Sequence, residues 1–134
     1  RARSFVTIMI VVAVCAFLLR IAIDRIIKIN ITQNESNAQY TLKLIATALE
    51  NYANDNQGAY PLSLSLLTQP SPPYLDKDYI KQSSIKGYLY NCPRLDGSGY
   101  NCSASPAQCK LTGSTVYSVT TGGILVSEGC NIKE

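Results

Sequence analysis

No proline and no glycine interrupts residues 1–57, and within that stretch the hydrophobic pattern changes character once. Residues 4–19, SFVTIMIVVAVCAFLL, are apolar on nearly every side. From Arg20 onward Ile21, Ile23, Ile26, Ile27, Ile29 and Ile31 are interspersed with Asp24, Arg25 and Lys28. That is the pattern of one helix passing from all-round apolar to amphipathic. Further on, Leu42, Ile45, Leu49 and Tyr52 recur at spacings of three and four, with Lys43, Glu50 and Asn51 outside the stripe. Asn54 to Gly58 then stop the helix, with Gly58 suited to the left-handed position past a helix end. The expectation is a helix over about residues 3–56, roughly 75 Å long at the α-helical rise. So long an element cannot be covered by so small a protein, and its first half must bury itself in lipid or in neighbours.

A secretory signal ends in small residues at a cleavage site. Here the apolar run ends in Leu18-Leu19-Arg20 and the helical pattern continues, which reads as a retained segment. Residues 4–19 would span about 24 Å, short of a hydrocarbon core of roughly 30 Å. The isoleucines past Arg20 complete a crossing if Arg20 snorkels to the interface. Arg1 and Arg3 would then stay cytoplasmic and the remainder would face outward.

Charge follows the same division. Residues 1–29 carry five basic side chains and one acidic, whereas residues 30–134 carry seven basic and eight acidic. The overall +3 belongs to the first segment, and the head has no basic excess, so no nucleic-acid partner is expected. The chain has no histidine, which removes the commonest general base and metal ligand. Glu35, Glu50 and Glu128 are the acids an enzyme would have to use, and nothing in the sequence groups them. No catalytic residue, cofactor or metal is expected.

Cys15 lies in the apolar run, while Cys92, Cys102, Cys109 and Cys130 fall in the last third. Four cysteines in a small head behind a membrane-type segment read as two disulfides made outside the cytoplasm, in any of three pairings. The rival four-thiolate zinc site lacks the close cysteine pair that such sites use.

In the head, Leu62, Leu64, Leu66 and Leu67 predict a short turn or helix capping the core, and QPSPP a rigid loop. GYLYNC, residues 87–92, alternates as a strand does; RLDGSGYNCSASPAQC reads as a loop, with Asp96-Gly97 and Gly99 as turn signals. STVYSVTTGGILVSEGC reads as two strands joined at Thr121-Gly122-Gly123. A sheet of three or four antiparallel strands is expected on Leu42, Ile45, Leu49 and Tyr52. Nine tyrosines against two phenylalanines suggest a surface-leaning aromatic set. DGSG reads as a turn ahead of a fragment of a calcium site. Asn30, Asn34 and Asn101 open N-x-S/T patterns.

IMIVVAV followed by a long helix, then ALENYANDNQGAYP, then a β-rich cysteine-bearing end, resembles the bacterial type IV pilins and the major pseudopilins of type II secretion. The junction carries Ala48, Leu49, Tyr52, Asp55, Asn56, Gly58, Tyr60 and Pro61 in that family's pattern, with one extra residue before the glycine. YSVTTGGILV, residues 117–126, is similar to its closing hairpin. A chain starting on Arg in place of Met is what processing of a leader would leave. Two departures stand out. Thr7 occupies the place where the family usually has a glutamate, and the helix-kinking proline is missing, so a more continuous helix is expected.

The resemblance implies an α+β, pilin-like fold divided into a membrane or filament-core helix, residues 1–31, and a head, residues 32–134. It implies a structural subunit that waits in the inner membrane, is handled by pilus or secretion machinery, and assembles with identical copies into a helical filament at the surface or in the periplasm. Phe5, Val6, Thr7, Ile8, Met9, Ile10, Val11, Val12, Val14, Phe17, Leu18 and Leu19 would line the filament core. Arg20 and Asp24, four apart on one face, would fix register, paired within the chain or between copies. The alternatives are a minor tip pseudopilin, or a membrane-anchored binding module that grips a ligand with residues 92–109.

Overall fold

The computed structural model describes residues 2–131; Arg1, assigned above to the cytoplasmic side, lies outside them. Two compact units divide the chain, Arg1–Asn30 and Ile31–Glu134. Helix α1, Ala2–Asp55, supplies the described part of the first and opens the second.

In the first unit the helix has the length and composition to cross a membrane, and the apolar window that qualifies it is 0% buried. Phe5 is 67% exposed, Phe17 65% and Leu19 63%, so the hydrophobic surface here is all presented outward.

In the second unit α1 has a buried face. Ala38, Leu42, Ile45, Ala46, Ala48, Leu49 and Ala53 are buried, with Thr41 among them, and Tyr52 packs at the rim. The helix ends as its sequence dictates. The Gly58 amide donates to the Ala53 carbonyl at 2.7 Å, the long-range bond of a Schellman-type end. Gly58 has φ +85°, and Gln57 already turns left-handed at +60°.

A short helix, α2 (Ser65–Thr68), follows. Leu64 and Leu67 enter the core while Leu62 stays 74% exposed. The Leu67 carbonyl then accepts from the amides of Tyr74 and Leu75, which ties the proline-rich loop down and buries Leu75.

Four strands complete the head: β1 (Tyr88–Asp96), β2 (Gly99–Pro106), β3 (Thr115–Thr120) and β4 (Ile124–Gly129). They form an antiparallel meander in the order β1-β2-β3-β4. The segment expected to be a loop after Cys92 is therefore the end of β1, a tight turn and all of β2. Its turn residues were correctly placed, but they join two strands. Tyr100, Cys102 and Ala104 alternate inward along β2; the outward Asn101, Ser103 and Ser105 disguised it as a loop. Between Asn91 and Arg94 the register slips, so Cys92 and Pro93 face Cys102 alone. Proline has no amide to give the ladder, so a bulge is where a strand tolerates it.

The tyrosines also depart from expectation. Tyr79, Tyr88, Tyr90, Tyr100 and Tyr117 are buried, and Tyr88 and Tyr100 almost completely. They build the core because a tyrosine hydroxyl can find an acceptor at the core's edge. Tyr88 donates to the Thr115 carbonyl at 2.7 Å, and Tyr79 to Asp76 at 2.9 Å. Burial, aided by the Asp76 hydrogen bond, pushes Tyr79 up to about 12, and burial raises Tyr88 and Tyr100 further. All three thus remain protonated donors at neutral pH.

Candidate assembly surface

In the first unit, α1 carries Phe5, Val6, Ile8, Met9, Ile10, Val11, Val12, Val14, Phe17, Leu18 and Leu19 as exposed apolar residues on all sides of the helix. Thr7 also lies in this band. Its hydroxyl donates to the Arg3 carbonyl one turn back at 2.7 Å. The hydrogen is therefore used within the helix, and the oxygen keeps lone pairs able to accept from another molecule. Thr7 and the apolar residues together form an outward-facing surface.

Arg20 and Asp24 sit one turn apart, and neither side chain enters a salt bridge or hydrogen bond among the described residues. The order of the pair explains this in part. On a helix, a base four residues ahead of an acid is the weaker orientation. Both charges are thus left without an ion-pair partner among the described residues.

In the second unit the head is fastened to α1 by residues whose role the sequence pattern did not reveal. Glu50 borders the buried face, three residues from Ala53 and four from Ala46. Its carboxylate accepts from the Tyr60 hydroxyl at 3.0 Å, the Tyr100 hydroxyl at 2.9 Å and the Gly122 amide at 2.8 Å. The Gly123 amide in turn donates to the Tyr100 oxygen at 3.1 Å, so the β3–β4 turn closes onto the helix. Glu35 accepts from the Ser114 amide at 3.0 Å and its hydroxyl at 2.7 Å. Asn34 donates to the Thr112 carbonyl at 2.9 Å, so its amide, one of the N-x-S/T candidates, is engaged in the fold. Glu128 lies on exposed β4. The three acids considered for catalysis are thus apart, and two of them are tethers. The signal for Glu50 was its place beside the apolar stripe, where a charged residue must find donors.

Replacing Glu50 with Ala is expected to lower head stability by about 2–4 kcal/mol, since one buried tyrosine hydroxyl and a turn amide lose their acceptor. Denaturant unfolding of the full chain in detergent, followed by tyrosine near-ultraviolet circular dichroism, measures it. An unchanged midpoint would mean that the Glu50 bonds contribute nothing net.

Cys92 bonds Cys102 and Cys109 bonds Cys130, which selects one of the three pairings; Cys15 is free and exposed. Residues 92–109 are not a loop stapled at its ends, as a binding module of that kind would require. The first bridge crosses a hairpin, and the second joins the segment after β2 to the end of β4. At the turn between β1 and β2, Asp96 Oδ1 accepts from the amides of Ser98 at 2.8 Å and Gly99 at 3.1 Å, while Oδ2 accepts from Arg94 at 3.1 Å. The Ser98 hydroxyl and amide, then Arg94, hold this carboxyl down at about 2. The DGSG motif thus serves its own turn.

The whole is an α+β chain with a long apolar N-terminal helix, the second half of which packs on a small disulfide-bonded antiparallel sheet. Comparison with family models, curated proteins and solved structures finds no match to this chain.

Proposed function

We propose that the chain is the structural subunit of a pilus-like helical filament, held in the inner membrane before assembly and polymerised through its N-terminal hydrophobic helix into a cell-surface or periplasmic fibre. The observation that carries this reading is the unburied apolar helix with an unpaired Arg20 and Asp24 at its edge. A simple anchor needs the apolar surface but gains nothing from an acidic residue beside it, whereas a bundle of copies can pair Asp24 of one chain with Arg20 of another. Apolar helix surfaces are about equally at ease in lipid and against one another, so passing from membrane to bundle costs little. The lipid-to-filament step also fits the α+β shape implied by the resemblance above.

Electron cryomicroscopy of filaments sheared from the producing cells tests this. The expected density threads this sequence in every repeat, with residues 4–31 in the core. A shaft built from another protein, with this chain at one end or missing, would replace the reading with the tip-subunit or anchor alternative.

A further inference from the structure

The head contains a cavity of about 150 Å³ whose wall includes Tyr40, Lys77, Tyr79, Lys86 and Tyr90. It lies wholly within the second unit. A cavity of this size holds roughly one six-membered ring. Its charge is one-sided. The Lys77 ammonium lies 5.1 Å from the centroid of the Tyr79 ring, a cation–π contact that keeps the charge at the wall. Neither Lys77 nor Lys86 has a carboxylate partner among the described residues. The nearby acids are occupied. Asp76 accepts from the Tyr79 hydroxyl at 2.9 Å. Asp78 accepts from the Ile80 amide at 3.0 Å and pairs with Lys81 at 3.8 Å. Two cations therefore line the cavity with no anion supplied by the fold.

Two of the three aromatic walls are fixed. Tyr79 and Tyr90 meet edge to face at 6.1 Å, and both are buried, while Tyr40 stands 67% exposed beside them. Lys86 is held there by an unusual backbone. Ile85 and Tyr88 exchange amide–carbonyl bonds at 2.9 and 3.0 Å, closing a tight turn with Lys86 at φ +48° and Gly87 at φ +78°. Such a turn favours Asn-Gly, so lysine is kept in a conformation that asparagine or glycine adopts more easily. A Cβ on Gly87 would meet Asn34 Nδ2 at 2.8 Å and Thr112 Cβ at 2.9 Å, which pins the turn against α1. Strain held by its surroundings is a feature of binding sites.

From this juxtaposition we propose that the cavity binds a six-membered ring carrying a carboxylate, an acidic sugar unit of the uronate class, with its carboxylate between Lys77 and Lys86 and a C–H face against the exposed ring of Tyr40. Asn37, also in the wall, is an amide suited to a ring hydroxyl. The ligand can be a free monosaccharide or one unit of an acidic polysaccharide, and both present the same group.

The test is calorimetric and NMR titration of the full chain in detergent with galacturonate, a galacturonate oligomer, galactose and benzoate. Galacturonate is expected to bind in about the millimolar range, shifting the amides of Lys86 and Tyr90. Lys77→Gln and Lys86→Gln should each weaken it about tenfold, the loss of one charge-assisted hydrogen bond, with the circular dichroism of the head unchanged. Galactose should show no binding. A tighter oligomer identifies a polymer as the source, and equal affinity identifies the free sugar. No binding of galacturonate, equal binding of galactose, tighter binding of benzoate, or indifference to both lysine substitutions would overturn the proposal.

Discussion

Replacing Asp24 with Lys is expected to abolish filaments while leaving the head folded and its disulfides formed. In the isolated chain Asp24 is solvent-facing and unpaired, so the substitution removes no intrachain contact. In a bundle of apolar helices the same position would be enclosed by neighbours, and a charge buried without its partner costs about 3–5 kcal/mol. That penalty would recur at every subunit added, so growth should fail altogether. Arg20→Asp should fail for the same reason. Exchanging the two charges, Arg20→Asp with Asp24→Arg, should restore assembly, because each copy again offers one acid and one base to its neighbour. Counting filaments by negative-stain microscopy, with circular dichroism and thiol titration as folding controls, reads this out. Intact filaments from Asp24→Lys would sink the pairing idea. Failure of the exchanged variant alongside both single ones would show that side-chain position, not charge complementarity, sets the contact.

The parts of this fold that were legible in the sequence are those governed by periodicity and punctuation. A 57-residue stretch without proline or glycine left little choice but a helix, and Asn54 to Gly58 had the composition to end it. The final hairpin was equally plain, because β-branched residues flank a Thr-Gly-Gly turn. Strand β2 was not legible, since a strand half-covered by small polar side chains has the composition of a loop; only pairing to β1 and β3 reveals it. The buried tyrosines were misjudged because a hydroxyl counts against burial until its acceptor is known, and an acceptor can lie far along the chain: Glu50 is 50 residues from Tyr100. The exposed apolar helix was legible as composition, down to the spacing of Arg20 and Asp24. What those two residues meet was not, because the chain alone does not bring a partner to either.

Removing the Cys109–Cys130 bridge as Cys109→Ser with Cys130→Ser is expected to cost the head about 3 kcal/mol, and removing both bridges about twice that. The loss of both, about 6 kcal/mol, equals the whole stability of a domain at the low end of the usual range of about 5–15 kcal/mol, so the chain without either bridge should not fold at 37 °C. The two bridges should fail differently. Cys92–Cys102 crosses strands already paired on both sides of the bulge, so its loss should weaken the sheet without releasing an element. Cys109–Cys130 closes a separation of 21 residues that encloses β3 and β4. β4 is exposed along nearly its whole length, with Ile124 at 61% and Val126 at 49%, and so has little burial of its own to hold it. Beside the bridge, the Cys130 amide donates to the Ser114 carbonyl at 2.9 Å, and Ser114 is the residue that Glu35 grips. Loss of this bridge should therefore loosen both the sheet edge and the lower fastening to α1. Hydrogen exchange of the full chain in detergent should show β4 and Ser114 amides losing protection first in this variant, with β1 and β2 changing first in Cys92→Ser with Cys102→Ser. Denaturant midpoints give the size of the two losses. If β4 keeps its protection without Cys109–Cys130, its ladder with β3 suffices and the bridge is incidental to the edge. If it is lost, the second bridge is what holds an otherwise unburied strand on the surface of the head.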